Sequence, residues 1–112
     1  MIVHQYAYIE QDVDLNLHVK MFPAYREVSE YAKAQLDQAI SEILGDDFVV
    51  PAGHIDKNGF IEYFGQWEEI TSSEWGWYVY DGIVNTIRGY IEPVEIEVDI
   101  NKLVTAARGT DT

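Results

Sequence analysis

Residues 24–44 read AYREVSEYAKAQLDQAISEIL, and this stretch decides the fold. Val28, Ala32, Leu36, Ala39, Ile40 and Ile43 recur at the spacing that brings side chains onto one side of a 3.6-residue turn. Arg26, Glu27, Glu30, Lys33, Asp37, Gln38 and Glu42 cover the other side. Pro23 stands where a first helical turn tolerates proline, and Gly45 offers a left-handed stop. The pattern predicts an amphipathic helix over 24–44. Its apolar stripe must be buried against something, and the flanking segments have the composition of strands.

Working outward, residues 2–9 (IVHQYAYI) are β-branched and aromatic, and read as a strand. Over 13–20, Val13, Leu15, Leu17 and Val19 alternate with Asp14, Asn16, His18 and Lys20, which predicts a second strand with the first set buried. Beyond the helix, 47–51 reads as a short apolar strand stopped by Pro51. Asn58-Gly59 marks a turn before a strand over 60–70, with Ile61, Tyr63 and Trp67 on its core side. A strand at 75–80 (WGWYVY) and a short helix at 82–91 follow, the helix resting on the spacing of Ile83, Val84, Ile87, Tyr90 and Ile91. A last strand is expected over 94–100, where Val94, Ile96, Val98 and Ile100 oppose Glu95, Glu97 and Asp99. The fold class is α+β: one long helix on a mostly antiparallel sheet, in a single domain over 1–112 whose tail at 109–112 frays.

The chain of 112 residues carries 20 acidic and 7 basic side chains, a formal charge of −13. That balance disfavours direct binding to a nucleic-acid backbone or an anionic membrane, since both rest on Lys and Arg. It leaves a basic protein as the charged partner that suits the chain. The chain has no cysteine, hence no disulfide framework or thiolate site, which leans towards a reducing compartment. The N-terminus MIVHQYAYIEQD does not read as a signal peptide, and no apolar run reaches the roughly 20 residues of a membrane span. A soluble cytoplasmic protein is expected.

Catalytic and ligand motifs are weak. Asp12-Val13-Asp14-Leu15-Asn16 begins like a calcium loop, but Leu17 and Pro23 stand where glycine and glutamate belong. His4, His18 and His54 have no metal-ligand spacing, and no phosphate-cradling loop or serine elbow is present. No metal, cofactor or catalytic residue is assigned, and a non-enzyme is expected. His54 beside Asp56 marks the one place where a small enzyme or ligand site would be sought.

Two features stand out. Glu95, Glu97 and Asp99 form a row of alternate acids, and Glu62 and Glu68 form a sparser one. Phe64, Trp77, Tyr78 and Tyr80 are candidate exposed aromatic anchors. Together they suggest an anionic surface that mimics a nucleic-acid backbone and blocks a basic nuclease or other nucleic-acid-binding protein. Small acidic inhibitors of host defence carried by phages and plasmids, anti-CRISPR and anti-restriction proteins among them, are similar in size and charge. The alternative is an assembly domain that forms a homodimer through the apolar segment 75–91.

Overall fold

The structure, a computed structural model, describes residues 1–98. Six strands form one sheet: β1 (Ile2–Gln11), β2 (Leu17–Phe22), β3 (Glu62–Phe64), β4 (Glu69–Ser72), β5 (Gly76–Tyr80) and β6 (Thr86–Glu97). Their order is β2-β1-β6-β5-β4-β3, with every neighbouring pair antiparallel. The helix α1 (Tyr25–Leu44) joins β2 at one edge to β3 at the other. Its 20 residues span about 30 Å, enough to cross the roughly 24 Å between the two edge strands.

The predicted helix is present, with Gly45 as its C-cap at φ 97°. Val28, Ala32, Leu36, Ala39 and Ile40 are buried, and Ile43 packs at the margin of the core. They meet Tyr8, Ile61, Ile70, Trp77, Val79, Ile87 and Ile91 from the sheet. Among the described residues only one face of the sheet is covered, by the helix, and the other face is open.

Several expectations are corrected. The helix read over 82–91 is instead a turn followed by β6, paired with β1 on one side and β5 on the other. Ile87 and Ile91 satisfy both periods, and two waiting strand edges favour the extended form. Pro93 does not end this strand. The Ile91 N–H donates to the Trp75 carbonyl at 2.7 Å, so the Pro93 nitrogen points the same way, past the end of β5, where no partner needs a donor.

Residues 47–51 form no strand; Phe48 packs on Tyr63 with ring centroids 5.6 Å apart and closes the end of the core. The span 60–70 splits at a turn into β3 and β4, and Trp67 moves from the expected core to the turn's tip. The strand read at 13–20 begins only at Leu17, and its faces are inverted. His18, Lys20 and Phe22 lie on the helix side, opposite Glu10, Tyr8 and Tyr6, while Leu17, Val19 and Met21 point to the open face. Of the strand expected at 94–100, residues 94–97 belong to β6; Asp99 and Ile100 lie outside the described residues, as does the tail.

Candidate interaction surface

Strand register places each predicted site residue. Glu62 and Phe64 pair with Thr71 and Glu69, which pair with Tyr78 and Tyr80, so these six share the open face. Glu68 lies in the adjoining turn. Glu95 and Glu97 pair with His4 and Ile2 at the far end of the sheet. They belong to the helix side, two and three alternations beyond Ile91, where the sheet overhangs α1. The two acidic rows are therefore on opposite faces and at opposite ends. Trp77, expected as an exposed anchor, is instead buried under the helix, because it alternates with Tyr78 and faces Gly89.

His54 is engaged locally. Its Nδ1 lies 3.0 Å from the Glu62 carbonyl and its ring stands edge-on to Tyr63. Asp56 turns away from it to accept the Asn58 and Phe60 N–H groups. A cleft of about 210 Å³ beside α1 is lined by Tyr8, Glu10, His18, Lys20 and Tyr31. Its Tyr8, Glu10, His18 and Lys20 side chains are engaged locally. The Tyr8 hydroxyl donates to Glu10 at 2.7 Å, His18 Nε2 lies 2.9 Å from Asp12, and Lys20 Nζ sits 4.6 Å from the Tyr31 ring centre. Burial, reinforced by Glu10, pushes the Tyr8 phenol up, so it stays a donor. Among the described residues no three His, Asp or Glu side chains gather as a metal site.

The topology does gather something that spacing alone did not reveal. β1 ends at Gln11 opposite Arg88, β5 ends at Tyr80 opposite Thr86, and β3 ends at Phe64 opposite Glu69. The turns at 12–16, 65–68 and 81–85 thus emerge from one end of the sheet. Each carries large apolar side chains into solvent: Leu15 is 71% exposed, Trp67 65%, Ile83 76% and Val84 78%. Around them stand Asp12, Asp14, Glu68 and Asp81, with no Lys or Arg in the three turns.

These tips are held by local bonds. Asp12 Oδ1 accepts the N–H groups of Asp14 and Asn16 at 2.9 and 3.0 Å. Leu15 is held at φ 67°, a left-handed conformation that branched residues rarely adopt. Asp81 Oδ1 accepts from Ile83, Val84 and Asn85, and its Oδ2 accepts from the Asn85 side chain at 2.9 Å. No protein-family model, curated protein or solved structure matches the chain. The surface must therefore be read from its own chemistry.

One consequence concerns acid. The hydrogen bond from His18 and the Asn16 N–H hold the Asp12 carboxyl below its ordinary value; the Ile83 and Asn85 N–H groups do the same for Asp81. A depressed carboxyl contributes stability above the unfolded value of 3.8 and loses it as pH falls through the folded one. Amide exchange at Ile83, Val84 and Asn85 is therefore expected to quicken below pH 3.8 before the core amides of β5 do. Simultaneous loss at both sites would show that Asp81 does not hold the turn.

Proposed function

We propose that this chain is a binding protein that seats its turn end in an apolar cleft with a basic rim on a partner protein. The carrying observation is that Leu15, Trp67, Ile83 and Val84 are all exposed on turns at the same end of the sheet, and that those turns hold four acids and no Lys or Arg. Exposed apolar groups gathered in this way mark interaction sites. The acids supply steering towards positive potential, and the apolar tips supply the desolvated anchors. Positive potential is what the grooves of nucleic-acid-binding proteins and nucleases offer, so occupation of such a groove, in competition with DNA or RNA, is the action that suits the acids of this end.

The test is capture from lysate at low salt, identification of the retained protein, and titration of the purified pair. Trp67→Ala is expected to weaken that pair by about 2 kcal/mol, the scale of an aromatic hot spot. Asp14→Asn with Glu68→Gln should slow association and flatten its salt dependence, and duplex DNA should displace the chain. Glu95→Gln, at the far end, should change nothing. Full affinity of the Trp67 variant, or binding indifferent to salt, overturns the reading.

A further inference from the structure

The two cleanest apolar alternations in the sequence, Leu17-Val19-Met21 and Val94-Ile96, both point to the open face of the sheet. Leu17 is 64% exposed, Val19 61% and Met21 42%. Beside them on β1 and β6 lie Val3, Ala7, Ile9 and Tyr90. In a chain with 20 acids, this half of the face carries one acid, Glu92, and one base, Arg88. A surface that is apolar and neutral in so acidic a protein is suited to being covered.

The positions of the two charges name the cover. Arg88 and Glu92 stand on the same face of β6, two residues either side of Tyr90. We propose that two copies of this chain pack their open faces together about a two-fold axis lying across β6 at Tyr90. An axis so placed reverses the strand direction, so Arg88 meets the partner's Glu92 and Glu92 meets the partner's Arg88. An axis along the strand would instead set like charges against each other.

The same operation fits the neighbouring strands. Val19, Ile9 and Tyr90 form one row of the sheet, and each faces its own counterpart. Leu17 lies one row to one side and Met21 one row to the other, so Leu17 faces the partner's Met21. This is the self-complementarity that an isologous contact needs.

Size and charge allow it. The three strands of this half offer a flat area on the order of 450 Å² from their lengths and spacing, below the roughly 800 Å² per partner of a standard interface and on the scale of a weak, concentration-dependent dimer. The acids of α1 end up on the two outer surfaces, separated by two sheets about 10 Å apart and so beyond a Debye length of about 8 Å. The association draws on the open face and not on the turn tips, so it does not rest on the function proposed above.

Light scattering of the full chain over a concentration series is expected to show a dimer, and Val19→Asp a folded monomer with an unchanged far-UV circular dichroism spectrum and a melting temperature that no longer depends on concentration. Arg88→Glu and Glu92→Arg should each raise the dimer dissociation constant on the order of tenfold. The double reversal should return it to the wild-type value. A wild type that stays monomeric at every concentration overturns the proposal, whether another partner or residues 99–112 take the face. A dimer indifferent to the single reversals, or not restored by the double one, overturns the two-fold arrangement.

Discussion

Replacing Gly89 by alanine is expected to destabilise the fold by about 2–3 kcal/mol, the scale of overpacking a filled core. Gly89 is buried on the helix side of β6, directly opposite Trp77 on β5 and Glu10 on β1. A Cβ there would lie 2.7 Å from Trp77 Cε2 and 2.8 Å from its Nε1, and would strike the Tyr8 hydroxyl. Neither ring has anywhere to go. Tyr8 is edge-on to Tyr31 at 5.2 Å and bonded to Glu10, while Trp77 lies buried beneath the helix. Gly53, which has open space around it and an ordinary backbone, is the control, and alanine there should change little. Urea unfolding of both variants measures the difference. A Gly89→Ala chain as stable as the Gly53 variant would mean that the rings are not locked.

That glycine also explains where sequence reading succeeded and failed. In the segment 82–91, Gly89 weakens a helix, yet the spacing of Ile83, Ile87, Tyr90 and Ile91 still favours one. The strand wins because β1 and β5 would each keep an unpaired edge without it, and that need is set by topology, beyond the reach of local pattern. The helix over 24–44 was legible because its period, its Gly45 stop and its polar side all agree. Alternation in β2 revealed two faces, but not which one the helix would cover. That choice follows from α1 crossing the sheet, which buries the side holding Tyr6, Tyr8 and Phe22.

The candidate surface was less legible still. Glu62, Phe64, Tyr78 and Tyr80 do come together on the open face as neighbours in register, with Glu68 in the adjoining turn. Leu15, Trp67, Ile83 and Val84 are scattered over nearly 70 positions of sequence and share one end of the sheet only because three connections leave it there. The signal that could have located them was apolar side chains inside polar turn motifs: Asp12 to Asn16, Gly65 to Glu68 and Asp81 to Asn85. Apolar residues at turn tips add nothing to the core, and it is their grouping at one end of the sheet that carries the function proposed above.

Gly82→Ala is the change expected to harm that surface most. Gly82 sits at φ 85°, where an L-residue costs roughly 1–2 kcal/mol. Its added Cβ would also meet the Trp67 carbonyl oxygen, with Trp67 Cβ at 2.5 Å and the Trp67 carbonyl carbon at 2.6 Å. Because part of this obstacle is backbone, no rotamer change relieves it, and the turns at 65–68 and 81–85 must part. With a further 1–3 kcal/mol for the overlap, a total loss of about 2–5 kcal/mol is expected in urea unfolding. The loss should be uneven. Trp67 should gain exposure, read as a red shift and stronger quenching of its fluorescence in a Trp75→Phe background, while Trp77 stays buried. Partner affinity should fall with it, because Trp67 no longer stands beside Ile83 and Val84. If stability drops but affinity is retained, the two turns do not act as one surface and the anchor reduces to Trp67 alone. If neither changes, the contact of Gly82 with Trp67 is not part of the folded protein.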